Sequence, residues 1–194
     1  TGRIHHALSM PVYNTMNGGS VCTEAQGRTT AFGSTCGHAV APAGNFERRD
    51  GDWKGCGEPV TQQMTSVQFR ETTLPSGMRF ALRKTPTEIE QWLDSRGYTG
   101  ATRSTAKAFA TALVEYGWFV TDSTCSAANF QVAGAGNPET AAAWRVLGIT
   151  GDGRDLLSGL ITRDRIWTVE RPVNHCVDGK DSELACPARS SSYR

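Results

Sequence analysis

The sequence has no uninterrupted run of the roughly 18 apolar residues that a membrane-crossing helix needs. Its richest stretch, Ala108–Val120, is broken by Thr111, Glu115 and Gly117, so no membrane partner is expected. Lysine is scarce and there is no basic excess. The formal net charge is +1, with Lys and Arg interspersed among Asp and Glu. Proteins that grip nucleic acid carry cations in excess and in clusters, so nucleic acid is not the expected partner either. No Cys-x-x-Cys pair is present, which argues against a structural zinc site built from Cys22, Cys36, His38 and Cys56. Gly134-Ala135-Gly136 lacks the third glycine of a dinucleotide loop, and Gly151-Asp152-Gly153 lacks the following Lys-Ser/Thr of a phosphate loop. Asp50-Gly51-Asp52 lacks the ligand spacing of a calcium loop. Neither a Gly-x-Ser-x-Gly elbow nor a His-Glu-x-x-His helix occurs. No metal and no cofactor is therefore expected.

What is present is a chain of 194 residues with 38% hydrophobic and 20% charged residues, enough to bury a core. Its cysteines number six: Cys22, Cys36, Cys56, Cys125, Cys176 and Cys186. An even count in Gly-, Ser-, Thr- and Asn-rich surroundings points to disulfides formed in an oxidising compartment, hence to a secreted, extracellular protein. Short loops favour Cys22–Cys36 and Cys176–Cys186, leaving Cys56–Cys125, although six cysteines permit other pairings. Each closed loop contributes roughly 2–4 kcal/mol. The start at Thr1, without Met, reads as a mature or trimmed end.

Along the chain, Arg3–Tyr13 is β-like, and Pro11 marks an edge strand or a bulge. Alternation in that stretch would send His5 and His6 to opposite faces. Residues 14–63 are Gly-, Thr- and Ser-rich, hold three cysteines and keep no period, which reads as a disulfide-pinned insertion. Thr65–Glu71 alternates, Leu74-Pro75-Ser76-Gly77 is a turn, and Met78, Phe80 and Leu82 mark a half-buried strand. Thr87 and Glu90 have the spacing of a capping box for a helix that buries Ile89, Trp92 and Leu93 and stops at Gly97. Ser104–Tyr116 is the clearest helix, with Phe109, Leu113 and Tyr116 on one stripe beside Ala106 and Ala110. Trp118–Val120 reads as a buried strand ending at Asp122, and Asn129–Ala133 as another. Asn137-Pro138 opens a further helix reaching Gly148, Leu156–Ile161 reads as a short helix and Ile166–Glu170 as a last strand. The expectation is an α+β fold: a mostly antiparallel sheet with two or three packed helices and a Cys-rich insertion. Residues 1–172 would form one domain, and 173–194 a polar tail tethered by Cys176 and Cys186.

Three blocks carry a family resemblance. These are Arg3-Ile4-His5-His6-Ala7-Leu8, Leu74-Pro75-Ser76-Gly77-Met78-Arg79-Phe80, and the most specific, Ala112-Leu113-Val114-Glu115-Tyr116-Gly117-Trp118-Phe119-Val120-Thr121-Asp122. In this order they resemble Ile-x-His-Ala-Leu, Pro-x-Gly-x-Arg and Ala-Leu-x-x-Tyr-Gly-x-x-x-x-Asp blocks. Those blocks occur in the C-terminal half of a group of bacterial secreted proteins whose activity is not established. The resemblance covers about Gly2 to Pro172, with the Cys-rich insertion outside it. It implies that an N-terminal polypeptide half belongs with this chain. Some members of the group look like carbohydrate-active proteins.

The chemical candidates are few. His6 stands where the resembling pattern has its histidine and could act as general acid or base, or else brace a strand as a hydrogen-bonded imidazole. Asp122 closes a buried strand, where α/β sites place chemistry, but could equally accept turn hydrogen bonds. Glu115 with Asp122 would supply the two carboxylates of glycoside hydrolysis if their separation suits. Arg79 could clamp a carboxylate or a sugar edge, or form a salt bridge. Thr1 could be an N-terminal nucleophile whose α-amine is the base. The five tryptophans, Trp53, Trp92, Trp118, Trp144 and Trp167, offer stacking surfaces for sugar rings. By position Trp118 and Trp144 read as core, and Trp53 as exposed or as covering a disulfide. The leading expectation is a protein that binds or processes polysaccharide. The alternatives are a hydrolase subunit with Thr1 as nucleophile, and a non-catalytic scaffold for an N-terminal half.

Overall fold

Two helices and the loop between them show how local signals set the frame. Thr85 precedes Pro86, and a residue before proline is pushed out of the helical region. Thr85 is therefore the N-cap of α1 (Pro86–Ser95), with φ −79° and ψ 160°. Its hydroxyl accepts from the backbone N–H of Glu88, and the Glu88 carboxylate accepts from the N–H of Thr85 at 2.7 Å. The capping box thus sits two residues before the expected Thr87–Glu90 pair, because Pro86 fixes the first helical position. Gly97, with φ 66°, ends the helix as expected. The second helix, α2 (Gly100–Glu115), begins four residues before Ser104. Its first turn is mostly exposed and so carries no apolar period. It is held from outside, by the hydroxyls of Thr102 and Thr105 donating to the carbonyls of Gly148 and Leu147, each at 2.7 Å.

The computed structural model describes residues 2–12, 39–40, 43, 74, 76–124, 130–132, 137–150, 153, 155–169 and 175–176. Among them the architecture is mixed α and β, as expected. The strands are β1 (Leu8–Val12), β2 (Ala39–Val40), β3 (Arg79–Leu82), β4 (Trp118–Ser123), β5 (Ile166–Thr168) and β6 (His175–Cys176), with a third helix, α3 (Pro138–Val146). Four strands form a mostly antiparallel sheet in the order β1-β4-β3-β5. Pro11 lies in edge strand β1, where its missing N–H breaks no ladder. No helix among the described residues is long and apolar enough to cross a membrane.

Contacts divide the chain into two compact units. The first contains residues 1–8, 80–118 and 130–169. In it α1 packs on α2. Ile89, Trp92 and Leu93 of α1 are buried, as are Ala106, Phe109, Ala110 and Leu113 of α2, the two stripes read from the sequence. Arg103 joins Glu90 and Asp94 across the helix pair, and Lys107 also reaches Glu90. Residues 155–160 form successive turns rather than a helix. Leu156, Ser158 and Leu160 each donate to the carbonyl three residues back, and Gly159 has φ 75°. The Trp92 indole donates to the Ser158 carbonyl at 3.0 Å, and the Tyr98 hydroxyl reaches the carbonyls of Asp155 and Leu156. These long-range bonds hold a path that local propensity alone would have coiled. Phe130–Val132 is not a strand; Phe130 stands edge-on to Trp118, which also stacks on Phe80.

The second unit contains residues 9–79, 119–129 and 170–194. Gly77, at φ 84°, completes the expected turn. Its N–H donates to Val120, whose own N–H donates to Met78. Met10, Val12, Met78 and Val120 are buried here. β2 pairs antiparallel with β6, Ala39 opposite Cys176 and Val40 opposite His175. Backbone pairing thus joins a stretch expected as an insertion to one expected as a tail, a link that cysteine spacing alone did not show. The expected strand Thr65–Glu71 lies outside the described residues, as do all the cysteines except Cys176.

Two glycines with similar positive φ separate conformation from space. At Gly97 a Cβ would meet nothing within 4 Å; at Gly117 (φ 70°) it would lie 1.9 Å from the Phe80 carbonyl oxygen. Gly97→Ala is expected to cost about 1 kcal/mol from the left-handed backbone alone. Gly117→Ala should cost well over 2 kcal/mol, because backbone must move. Urea melts check this; equal midpoints for the two variants would contradict the close approach.

Candidate functional site

Of the sequence candidates, His6 and Glu115 belong to the first unit and Arg79 and Asp122 to the second. His6 and His5 are both exposed, because β1 starts only at Leu8, so alternation does not reach them. This corrects the expectation that one of the two turns inward. The His6 Nδ1 lies 2.9 Å from the Ala7 carbonyl oxygen. A carbonyl only accepts, so this contact places a proton on Nδ1 and leaves Nε2 toward solvent. Glu115, at the end of α2, has both carboxylate oxygens 2.9 Å from the Arg3 Nη2. That pair ties the N-terminal segment to the helix and gives Glu115 a structural partner. Glu115 also raises the Arg3 guanidinium further above its ordinary range, through a hydrogen bond first and charge second.

In the other unit, Asp122 is exposed near the end of β4. Arg79 is half-buried, with its guanidinium 5.6 Å from the centre of the Phe119 ring, a cation–π arrangement. The Ser9 and Thr121 hydroxyls are 2.9 Å apart. Thr1 and Trp53 lie outside the described residues. Among the described residues no group of three or more His, Cys, Asp or Glu side chains is placed to hold a metal.

The tryptophans sort by burial. Trp92 and Trp118 are core, the latter as expected; Trp144 is half-buried, less enclosed than its position suggested. Trp167 is 55% exposed. It is the middle residue of β5, which among the described residues is an edge strand with all three residues exposed. Its direct partner across the ladder is Ala81, whose methyl group leaves the indole uncovered at that position. The sequence carried one signal for this: a short apolar stretch, Ile166-Trp167, bracketed by Arg163-Asp164-Arg165 and by Arg171. Charges flanking a short strand are how proteins mark a sheet edge.

The approach to β5 is structured by charge. The Arg83 backbone N–H donates to the Arg165 carbonyl at 2.8 Å, where β3 leaves the sheet and β5 enters it. Arg165 is 2.9 Å from the Glu88 Oε1. The Glu88 carboxyl is held below the ordinary range, first by the Thr85 N–H, then by the Thr85 hydroxyl, with Arg165 and Lys84 adding weaker attraction. Asp164 is likewise lowered, by the Thr162 hydroxyl first and a backbone amide second. Both local carboxylates are thus committed to internal partners.

A scan against protein-family models matches none, and searches of curated proteins and of solved structures return no match.

Glu90 is also lowered, by hydrogen bonds from Lys107 first and Arg103 second. A carboxylate lowered in the fold stabilises it above the unfolded pKa and loses that contribution as pH falls through the folded one. The contribution of Glu88 and Glu90 to stability should therefore be constant near neutral pH and decline below about pH 4.3, the ordinary Glu value. The double change Glu88→Gln and Glu90→Gln is expected to flatten that decline, read as Tm against pH. An unchanged acid limb would remove these two carboxylates as its cause.

Proposed function

We propose that this chain is a secreted, extracellular polysaccharide-binding protein whose stacking platform is Trp167, with a Cys-rich insertion over residues 14–63 pinned by disulfides. One observation carries the reading: a tryptophan 55% exposed at the centre of an edge strand, with only Ala81 across from it. A large apolar face left in water is costly unless something covers it. A pyranose covers an indole with its own apolar face while its hydroxyls stay hydrated, the contact that makes aromatics anchors in mixed surfaces. Binding has more support here than hydrolysis, since Glu115 is engaged by Arg3 and the Nδ1 of His6 by the Ala7 carbonyl.

A second reading has an observation of its own. No residue of α3 is buried, and Val146 and Leu147 are 80% and 45% exposed. That surface suits a scaffold for an N-terminal polypeptide half. Hydroxyl-radical labelling of the protein from its natural source should then show Val146 and Leu147 protected by a co-purifying polypeptide. Full labelling would remove this reading.

For the leading reading, soluble oligosaccharides are expected to change tryptophan fluorescence. Trp167→Ala should weaken their binding about tenfold or more, the usual scale for losing one stacked aromatic anchor. Its melting temperature should stay within a few degrees of the parent's, since the side chain lies outside the core. Binding by Trp167→Ala equal to that of the parent protein would rule out this platform.

A further inference from the structure

The surroundings of Trp167 select among polysaccharides. Arg83 and Lys84 follow β3, and Arg163-Asp164-Arg165 form the 3-10 turn that leads into β5. The bond from Arg83 to the Arg165 carbonyl brings these two stretches side by side. Among the described residues, four cations, Arg83, Lys84, Arg163 and Arg165, therefore share one corner of the first unit with two carboxylates, Glu88 and Asp164. Those carboxylates already have partners. Glu88 caps α1 and pairs with Arg165, and Asp164 also reaches Arg165 at 3.4 Å. Arg83, Lys84 and Arg163 make no ion pair among the described residues. Arg83 and Arg163 are exposed. Trp167 stands two residues beyond Arg165, about 7 Å along an extended strand. A glycan chain lying along β5 would meet an aromatic face and then cations that make no ion pair among the described residues.

We infer that the polysaccharide recognised at this corner is anionic, its carboxylate or sulfate groups held by Arg83, Lys84 and Arg163 while one of its rings stacks on Trp167. The inference rests on the reading of Trp167 as the platform. Guanidinium groups suit it chemically: their planar forks match carboxylate and sulfate oxygens, and they shed water more readily than an ammonium. Arg165 is not part of the ligand set, because it is spent on Glu88. Nucleic acid is the less favoured polyanion, since the chain as a whole carries a net charge of only +1 and this patch offers one exposed ring rather than a series of stacking platforms.

The experiment titrates the full chain with oligogalacturonate, with its fully methyl-esterified form, with a neutral cello-oligosaccharide and with an oligo(dT) of matched length. Calorimetry and tryptophan fluorescence give the affinities. Oligogalacturonate should bind about tenfold or more tighter than its ester and weaken as NaCl rises from about 50 to about 200 mM. The double variant Arg83→Gln/Arg163→Gln should lose that margin while keeping the ester's affinity, and Trp167→Ala should lose both. Equal binding of acid and ester, with the arginine variant unchanged, would overturn the anionic inference and leave the Trp167 platform standing. Oligo(dT) binding at least as tightly as oligogalacturonate through the same residues would overturn it in favour of nucleic acid. Binding of none of the four would overturn the inference and the platform together.

Discussion

Gly117 is the point on which the sheet depends. It ends α2 with φ 70°, and its hypothetical Cβ would sit 1.9 Å from the Phe80 carbonyl oxygen. Only a residue without a side chain lets the chain leave the helix and run directly against β3. The same glycine fixes a second neighbour, since its carbonyl accepts the Leu8 N–H and so starts the pairing of β1 with β4. One absent methyl group thereby sets helix end, strand start and register. The Trp118 that follows is placed to stack on Phe80 and meet Phe130 edge-on, which seals the apolar side of that approach.

Around this point the fold divides labour between apolar burial and directed polar bonds. The helix pair α1–α2 is held by a continuous apolar interface, with Leu93, Ala106, Ala110 and Leu113 fully enclosed. The less regular stretches are held by single hydrogen bonds to named carbonyls. The Trp92 indole fixes Ser158, the Tyr98 hydroxyl fixes residues 155 and 156, and Thr102 and Thr105 fix Gly148 and Leu147. Such bonds are short-ranged and orientational. They position loops without needing the loops to have an intrinsic preference, which is how a turn series replaces the helix that Leu156–Ile161 would otherwise suggest.

The proposed binding corner follows from the same economy. β5 is only three residues long and stands at the edge of the four-strand order among the described residues. A short strand at an edge cannot enclose a tryptophan, so the indole remains outside. The cations beside it arrive from two chain segments far apart in sequence, joined by one backbone bond between Arg83 and Arg165. Glu88 serves two roles there: it caps α1 and pairs with Arg165, which Asp164 also reaches, while Arg83, Lys84 and Arg163 make no ion pair among the described residues.

The sequence by itself determined the elements whose signals are local. The stripes of Ile89, Trp92 and Leu93 and of Phe109 and Leu113, the turn at Gly77, the cap at Asn137 and the edge position of Pro11 all follow from side-chain period, φ preference or a missing N–H. It erred by two residues at the α1 cap because Pro86 outranks a capping-box spacing. It extended β1 back to the histidines because alternation has no sharp end. What only the tertiary structure decided was which of the described tryptophans is bare. Trp92, Trp118 and Trp167 are alike as letters, yet burial depends on which strands and helices close over each, a property of contacts between distant segments. For the same reason the pairing of Glu115 with Arg3, which gives a candidate catalytic carboxylate a structural partner, and the meeting of Arg83 with Arg165, which builds the basic corner, had no trace in spacing or composition.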